Sequence, residues 1–594
     1  MIVLGISGDQ DTHDTSAAIV CNGVLVAAAE EERFSRSKHE TRFPLAAIDF
    51  CLRAAGLRMD QVHAIAFPDK PFRSGCDSYL AEMDRNIVWR LWTERQIRFR
   101  RVAHKHLLDA CLFTGIRFNW GMNPGTAARL ALLRQHYHAV PPIRFYDHHL
   151  AHAAAAYFTS GWDEAAVITM DWSGGPYATV VWRATGPRIV RLRAEPESNS
   201  LGKFYSDCTL FLGLSHVPEG ETVPTDFAEG KTMGLAPYGN KDAAPACSAL
   251  LEVSNSHWYR YLRQPSQAAL GFPPGKREYA LDRPYRNFAA AAQRALEQAV
   301  QRVVRSAVDA CGTRALCLGG GVSLNCSANG MLRDAGVASS IWVFPGSGDA
   351  GISVGAALLC AAELGERPRH QLSTADLGPE YSSEECEAAL KREPGVEYRR
   401  AVNVALDVAQ CLAAGQIVGW FQGRMEFGPR ALGNRSILAD PGSVEIRDRV
   451  NRIKGREMWR PLAPVVTAER AGDFFESAAD NPFMLFRTYV KPCQRGRIPA
   501  VVHVDGSARP ETVTRYQNPL LYDLLLAFER YAGVPVLLNT SFNAAGDPIV
   551  CSPGDAISTF LKTELNLLVL GEFLVIRRSS AQQHWPAPRE GSRA

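Results

Sequence analysis

The chain has 594 residues, of which 46% are hydrophobic and 21% are charged, and its net charge is +3. A chain of this length is too long to fold around one hydrophobic core, so two or three domains are expected. A charge so close to neutral gives no general argument for nucleic acid or an anionic membrane as a partner, and we expect neither. The fourteen cysteines form no Cys-x-x-Cys pair, which argues against a zinc ribbon or a disulfide framework and fits a reducing cytoplasm.

The first six residues are a short apolar run without the basic flank or cleavage site of a signal peptide, so they predict a strand. Nowhere does the sequence contain the roughly 18 to 20 uninterrupted apolar residues that a membrane helix needs. We therefore expect a soluble, cytoplasmic protein.

Two stretches show the same succession of strand, polar loop, strand, tight turn and strand. The predicted strands are residues 2–7, 16–20 and 24–29 in the first stretch, and 165–170, 177–183 and 188–194 in the second. A duplicated unit of this kind is typical of the actin, hexokinase and Hsp70 architecture, in which two ribonuclease-H-like lobes enclose a nucleotide cleft. The alternative is that any two β-meanders look alike.

Between these stretches, residues 81–120 are rich in tryptophan and arginine, with apolar residues at helical spacing. Such a segment predicts an amphipathic helix that packs on a lobe, its tryptophans belonging to the core. The alternative is an insertion that binds an acceptor, because Trp89 and Trp92 supply flat apolar faces and the arginines supply donors suited to a polyhydroxylated ligand.

His148 and His152 are four residues apart and are followed by an alanine run that favours helix. Residues at i and i+4 share one helical face, so both imidazoles can point at one ion. Asp171 ends a predicted buried strand and Asp349 lies in a glycine-rich loop. Two imidazoles with two carboxylates form a ligand set for Fe(II), Mn or Zn. The alternative is a helix-capping His148 and a buried, hydrogen-bonded His152.

Two glycine-rich stretches predict close backbone approach to an anionic ligand. In residues 228–239, Gly234 and its neighbouring glycines accompany Lys231, which can neutralise a phosphate. The predicted strand 315–318 runs into Gly319, Gly320 and Gly321, whose backbone N–H groups suit a nucleotide or another anion, although the full Walker pattern is absent.

Residues 366–383 are polar and rich in turns, and they predict a linker to a second unit. Beyond it, several basic side chains stand next to glycine or proline and not on regular helix faces. These residues are Arg430, Arg435, Lys454, Arg456, Arg460 and Arg509. Surface salt bridges explain any one of them, but six in turn contexts fit a small anion and a triphosphate better.

Six motifs together resemble one family, the O-carbamoyltransferases of the nodulation and cephamycin type, and the match runs nearly end to end. The motifs are residues 13–18 (HDTSAA), 147–152 (DHHLAH), 231–239 (KTMGLAPYG), 319–321 with Asn325, 427–433 (FGPRALG) and 539–543 (NTSFN). The resemblance implies an N-terminal domain similar to the threonylcarbamoyl transferases, and a C-terminal α/β domain similar to the threonylcarbamoyl-adenylate synthases.

In such a protein, carbamoyl phosphate and ATP, with Mg, give carbamoyl-adenylate in the second domain, and the first domain transfers the carbamoyl group to a hydroxyl. The resemblance implies a divalent metal, Fe(II) or another, on His148, His152, Asp171 and Asp349. It implies a catalytic pair, His13 and Asp14, with His13 as the base. The implied carbamoyl-adenylate site is Lys231, Gly234, Gly319, Gly320, Gly321 and Asn325, and the implied ATP and carbamoyl phosphate site is Arg430, Arg435, Lys454, Arg460, Arg509 and Asn539.

We accordingly expect a metal- and nucleotide-binding domain at residues 1–370, with lobes of about 1–160 and 161–370, and a carbamoyl-adenylate-forming domain at 385–594. The expected partner is a small-molecule acceptor with a free hydroxyl, such as an antibiotic, a glycosylated polyketide or a sugar. The alternatives are a tRNA-modifying carbamoyltransferase and a sugar kinase of the actin-like fold. The sequence leaves the acceptor, the native metal and the oligomeric state open.

Overall fold

The computed structural model describes residues 1–8, 13–68, 124–215, 217, 227–240, 245–254, 258–477 and 480–578. They form a mixed α/β protein with three large sheets. Trp89 and Trp92 lie outside the described residues, so their assignment to the acceptor site stays a prediction. Among the helices of the described part, none has both the length and the hydrophobicity to cross a membrane.

The elements of the N-terminal part alternate between strands and helices. Its strands are β1 (Ile2–Ser7), β2 (Ser16–Cys21), β3 (Val24–Glu30), β4 (Ala64–Phe67), β5 (Ile143–Phe145), β6 (Glu164–Gly174), β7 (Tyr177–Thr185), β8 (Arg188–Pro196), β9 (Leu251–Glu252), β10 (Arg260–Tyr261), β11 (Ala315–Gly319) and β12 (Ser340–Val343). Its helices are α1 (Glu32–Ser35), α2 (Leu45–Ala54), α3 (Pro124–His136), α4 (His148–Phe158), α5 (Leu201–Phe211), α6 (Glu229–Leu235), α7 (Gln267–Leu270), α8 (Arg283–Cys311), α9 (Cys326–Asp334) and α10 (Ile352–Glu363).

The C-terminal part is also α/β. Its strands are β13 (Val396–Arg400), β14 (Val418–Phe421), β15 (Arg435–Ala439), β16 (Ala463–Thr467), β17 (Thr488–Tyr489), β18 (Ser507–Ala508), β19 (Glu511–Val513), β20 (Val536–Ser541), β21 (Leu567–Leu570) and β22 (Phe573–Arg577). Its helices are α11 (Ser383–Lys391), α12 (Val404–Ala413), α13 (Val444–Ile453), α14 (Ala471–Phe474), α15 (Pro519–Ala532) and α16 (Pro553–Lys562).

The two N-terminal sheets have the same topology. Their strand orders are β3-β2-β1-β4-β5 and β8-β7-β6-β11-β12. In each, the first three strands along the chain pair antiparallel, and the other two extend the sheet in parallel. The predicted three-strand repeat is therefore confirmed and extends to five strands, which confirms the duplicated, ribonuclease-H-like architecture.

Helices α4 and α10 join the two sheets. Each follows the last strand of its own sheet but packs on the other sheet, α4 on β6 and β11, and α10 on β1, β2 and β4. The two helices also pack on each other very closely, since a Cβ on Gly355 would overlap the backbone carbonyl of Ala151. This exchange brings the first residue of α4 next to the turn Asp349–Gly351 that precedes α10.

Between α10 and α11 the chain forms neither helix nor strand, as the linker prediction requires. It is nevertheless held on both sides. The Ala28 amide donates to the Leu377 carbonyl at 3.1 Å, and the Gly378 amide donates to the Met425 carbonyl at 2.8 Å. The segment therefore anchors the C-terminal part against β3.

The C-terminal sheet has eight strands in the order β13-β22-β21-β14-β15-β20-β16-β19, with both parallel and antiparallel pairs. Helices α12 and α15 pack against each other over it. The motif of residues 427–433 lies in the loop after β14, Lys454 follows α13 directly, and the motif of residues 539–543 spans the end of β20 and the start of the next loop.

Candidate functional site

Four side chains from three elements meet at the junction of the two lobes. His148 and His152 lie on the first turns of α4, whose N-cap is Asp147; its carboxylate accepts from the Leu150 amide. Asp171 lies in β6 just before a bulge, and Asp349 opens the turn before α10. The structure thus brings together all four residues that the sequence predicts as metal ligands.

The ligand atoms of this tetrad are spaced as one coordination sphere requires. The two Nε2 atoms of His148 and His152 are 3.1 Å apart. Asp171 Oδ2 lies 2.8 Å from His152 Nε2 and 3.7 Å from His148 Nε2, and Asp349 Oδ1 lies 3.6 and 3.7 Å from the same two nitrogens. With bonds of about 2.1 Å, adjacent ligands of one ion are about 3.0 to 3.4 Å apart. The donor set and its spacing therefore fit a divalent metal.

The electrostatics of the tetrad also favour a cation. Burial opposes charge on His152, yet its hydrogen bonds to Asp171 and Asp349 raise the pKa of this imidazole to about 9. Burial likewise opposes charge on Asp171, yet His148 and His152 hold its pKa well below the usual range. Oδ2 of Asp171 is buried and faces the Nε2 atoms of both imidazoles, so a metal ion among these three atoms would replace the proton that His152 shares with the carboxylate.

Packing around the tetrad fixes the imidazole rings. His149, which points away from the other two, is fully buried, with Nδ1 at 3.0 Å from Thr169 Oγ1 and Nε2 at 2.9 Å from the Tyr177 carbonyl. Gly174 closes the rim, because a Cβ there would lie 2.6 Å from His148 Cδ2. The site therefore requires glycine at position 174.

The three consecutive glycines after β11 lie against the tetrad. Gly320 has φ +84°, and a Cβ there would overlap the Met170 carbonyl, so packing alone requires this glycine. A Cβ on Gly319 would be 2.9 Å from the His152 carbonyl, and one on Gly321 would be 3.3 Å from Asp171 Oδ1. The turn thus lies where its backbone can serve a ligand at the metal site.

Asn325 is a correction to the sequence-based ligand set. Its Oδ1 accepts from the Ala328 amide and from Gln293 Nε2, and its Nδ2 donates to Gln293 Oε1. These bonds use the buried side chain to cap α9, so Asn325 positions that helix.

Lys231 and Gly234 lie on α6, at the boundary with the C-terminal part. Lys231 Nζ donates to the Leu214 carbonyl at 2.8 Å. The Gly234 carbonyl is 2.8 Å from His503 Nε2, and a Cβ on Gly234 would lie 3.3 Å from Pro461. Gly234 therefore allows close approach of the C-terminal part.

His13 and Asp14 are adjacent to each other and bonded through their side chains. His13 Nδ1 is 3.0 Å from Asp14 Oδ2. Burial disfavours a charged imidazole here, but the hydrogen bond with Asp14 and the carboxylates of Asp349 and Asp171 raise the pKa of His13 to about 9. Since two of these carboxylates belong to the tetrad, His13 lies within its electrostatic reach.

His39 also belongs to this group, and no sequence motif indicated it. Its Nδ1 is 2.8 Å from Asp14 Oδ1, so the Asp14 carboxylate bridges two imidazoles. Asp14 and His39 are 25 positions apart, which explains why neither spacing nor periodicity could reveal the pair.

A group of basic side chains, here called the cation cluster, lies in the C-terminal loops. Its members are Arg430, Lys454, Arg456, Arg460 and Arg509. Burial and mutual repulsion lower the pKa values of Arg430 and Arg456 to about 9. Within the described part of the chain, the buried Nε atoms of Arg430 and Arg509 have no hydrogen-bond partner. A cluster with this charge and these free donors is suited to a polyanionic ligand.

Arg435 is a second correction, because it does not join the cation cluster. Its side chain is fully buried, stacks 3.7 Å from the centre of the Phe421 ring, and donates to the carbonyls of Gln422, Asn434, Pro379 and Gly423. These contacts tie the loop after β14 to the linker, so Arg435 has a structural role.

Lys454 and Asn539 connect the cation cluster to β20. Lys454 Nζ is 2.5 Å from the Ser541 carbonyl and 2.6 Å from Asn543 Oδ1. Asn539 Nδ2 donates to Glu511 Oε2 at 2.7 Å, whereas its buried Oδ1 has no partner. The motif of residues 539–543 thus supplies carbonyl groups beside the cations.

The loop that carries Arg430 packs against the loop that leads to the tetrad. The Gly428 amide donates to Glu30 Oε1 at 2.8 Å, and the rings of Phe427 and Phe344 are 6.2 Å apart, five residues before Asp349. Cys326, the first residue of α9, is close enough to Arg430 to counteract part of the lowering of the Arg430 pKa. The loop that carries Arg430 therefore contacts the loop that leads to Asp349 and lies beside the start of α9.

Comparison with known proteins identifies the family. The family model described as Carbamoyltransferase N-terminus matches residues 3–358, and the one described as Carbamoyltransferase C-terminus matches residues 409–577. Together the two matches include all the motifs described above.

Two relatives match nearly the whole chain, and a third matches more than half of it. An uncharacterized protein of Synechocystis sp. is 35% identical over 98% of this chain and 97% of its own length. Nodulation protein NolNO of Sinorhizobium fredii is 37% identical over 96% of this chain and 80% of its own. The 3'-hydroxymethylcephem-O-carbamoyltransferase of Streptomyces clavuligerus is 33% identical over 58% of this chain and 64% of its own length. The chain therefore belongs to the carbamoyltransferase family and is an O-carbamoyl-transferring enzyme.

Proposed function

We propose that the protein transfers a carbamoyl group to a hydroxyl in two steps at two sites. In the first, ATP, carbamoyl phosphate and water give carbamoyl-adenylate, pyrophosphate and inorganic phosphate. In the second, the hydroxyl oxygen of an acceptor bonds to the carbamoyl carbon, AMP leaves, and the hydroxyl proton passes to a base. The observation that carries the proposal is the contact between the loop of Arg430 and the loop that leads to Asp349.

The first step is assigned to the C-terminal domain, proposed at residues 385–594. Arg430, Arg460 and Arg509 would hold the phosphates of ATP, which would be bound as its Mg complex, and of carbamoyl phosphate. Lys454 and the unpaired Oδ1 of Asn539 lie in the same loops, and that oxygen suits the N–H₂ group of the carbamoyl moiety.

The second step is assigned to the N-terminal domain, proposed at residues 1–370. Backbone N–H groups of Gly319, Gly320 and Gly321 would hold the phosphate of carbamoyl-adenylate, with Gly234 and Lys231 at the edge of the site. His13, oriented by Asp14, would in its neutral form take the proton from the acceptor hydroxyl at Nε2. A cation held by the tetrad would offset the charges of Asp349 and Asp171 and so lower the raised pKa of His13 toward neutrality.

A metal ion would complete this site. His148, His152, Asp171 and Asp349 would hold the divalent cation, Fe(II) or another, which supplies a Lewis acid that stabilises negative charge developing on the carbamoyl oxygen. Closure of the domain junction would exclude water, to which carbamoyl-adenylate is labile.

The acceptor is proposed to be a bulky small molecule with a free hydroxyl, bound beside His13, with Trp89 and Trp92 forming one wall. The name of the Streptomyces relative, which acts on the hydroxymethyl group of a cephem, supports this class. Screening hydroxylated natural products for a mass increase of one carbamoyl group would identify it.

The reaction type is tested without an acceptor. The purified protein, given both ATP and carbamoyl phosphate, is expected to release pyrophosphate and AMP, and neither substrate alone should suffice. A sugar kinase of the actin-like fold would instead form ADP when given a sugar. Formation of ADP, or pyrophosphate release only when tRNA is added, would contradict the proposal.

A further inference from the structure

The segment of residues 36–40 connects the C-terminal part of the protein with the surroundings of His13. At one end, Arg36 donates to the carbonyls of Ile549 and Pro548 at 2.6 and 2.8 Å. At the other end, His39 contacts Asp14. Its backbone is fixed as well, since the His39 amide donates to Glu32 Oε2 at 2.8 Å. The position of His39 is therefore set by both parts of the protein.

The backbone around this contact is held in an unfavourable conformation. Asp14, His39 and Phe227 have φ of 62°, 55° and 35°, in a region that residues other than glycine rarely adopt. The Phe227 ring covers both imidazoles, with its centre 3.7 Å from that of His13 and 4.8 Å from that of His39. Such conformations persist only where the surrounding structure enforces them, and they concentrate at functional sites.

The hydrogen bonds define which nitrogen of each ring is protonated. An ionised carboxylate only accepts, so Asp14 requires an N–H on Nδ1 of both His13 and His39. In the neutral form of each ring the lone pair is then on Nε2. For His13 this leaves Nε2 free for an acceptor hydroxyl, and for His39 it leaves a buried Nε2 without a partner.

We propose that His39 is a positioning residue for the base: it binds the second oxygen of Asp14, and so holds that carboxylate where it keeps His13 in the Nδ1-protonated tautomer. The inference rests on the proposed function of His13. Without His39, one oxygen of Asp14 is unbound and the carboxylate rotates about its side-chain bonds. The hydrogen bond to His13 then exchanges among several geometries.

Two substitutions separate this role from simple packing, and both tolerate the positive φ of residue 39. His39→Asn keeps an N–H at the position of Nδ1 and therefore keeps the bond to Asp14. His39→Gly removes the donor without adding backbone strain. The readout is the Nδ1–H resonance of His13 in the ¹⁵N-histidine-labelled full-length protein, assigned by its loss in His13→Gln. This measurement needs neither acceptor nor donor substrate.

The resonance is expected in the wild type and in His39→Asn, and is expected to broaden or disappear in His39→Gly as the proton exchanges with water. Pyrophosphate release from ATP and carbamoyl phosphate should be unchanged in both variants, which separates a failure here from a failure of the two-step scheme. An intact His13 resonance in folded His39→Gly would overturn the proposal. A loss of bound metal in His39→Gly with the resonance intact would instead make His13, Asp14 and His39 a second metal site.

Discussion

Replacing Arg430 with methionine should stabilise the ligand-free protein and abolish its response to anionic substrates. Burial, with repulsion from Arg509 and Arg460, lowers the pKa of Arg430 to about 9. The ordinary pKa of an arginine is above 12, and a difference of one pKa unit corresponds to about 1.4 kcal/mol. After allowing for partial exposure and for shared repulsion, the native state carries a cost of about 2 to 4 kcal/mol from this charge. Methionine fills a similar volume without it.

The measurement is thermal unfolding with and without carbamoyl phosphate and ATP. Arg430→Met is expected to unfold several degrees above the wild type when no ligand is present, and to show no increase when both ligands are added. The wild type should gain stability with ligand, because bound anions neutralise the cluster. Arg183→Met is the matched control, since Arg183 is half exposed and pairs with Glu164 on the surface. A ligand-free Arg430→Met that is less stable than the wild type would refute the reasoning.

Three further predictions follow from the site and its surroundings. Gly174→Ala should lower metal affinity at least tenfold, because the new Cβ would lie 2.6 Å from His148 Cδ2. The control Gly230→Ala, whose Cβ meets nothing within 4 Å, should leave the affinity unchanged. Equilibrium dialysis with Fe(II) or Zn distinguishes the two variants. Chelation of the metal should lower the unfolding temperature and stop carbamoyl transfer while pyrophosphate release continues, and equal loss of both activities would contradict this. Burial, with repulsion from Glu426, raises the pKa of Asp376 to about 7, so the native state keeps a proton that the unfolded chain releases near pH 4. Stability should therefore fall as pH rises from about 4 to about 7, by up to about 4 kcal/mol, and denaturant titrations should show that Asp376→Asn avoids most of that loss.

The repeat and the metal ligands were predictable because their signals are local. Strand alternation and turns mark β1 to β3 and β6 to β8 directly, and the spacing of His148 and His152 follows from helix geometry. Asp171 and Asp349 were predictable as strand-end and loop acids, although nothing local shows that they meet. Their meeting depends on α4 and α10 packing on each other's sheets, a long-range arrangement.

One physical reason explains why the sequence misassigned Arg435 and Asn325 and did not indicate His39. In the sequence, Arg435 looks like Arg430, since both stand beside polar or glycine-rich turns. The fold buries Arg435 among four carbonyl groups that accept from it, whereas it places Arg430 among other cations, whose repulsion helps to lower its pKa. Asn325 belongs to a motif, but its side chain caps a helix. His39 acts through its contact with Asp14, which is 25 positions away in the sequence. Side-chain partners, and not residue types, decide these roles.

The central claim, two chemical steps at two sites, is tested most directly by comparing two variants in both half-reactions. Pyrophosphate release from ATP and carbamoyl phosphate, and hydroxyl carbamoylation from supplied carbamoyl-adenylate, are measured for Arg430→Met and for the double variant His148→Ala/His152→Ala. The account predicts that Arg430→Met loses the first activity and keeps the second, and that the double variant does the reverse. Folded variants that each lose both activities together would contradict it.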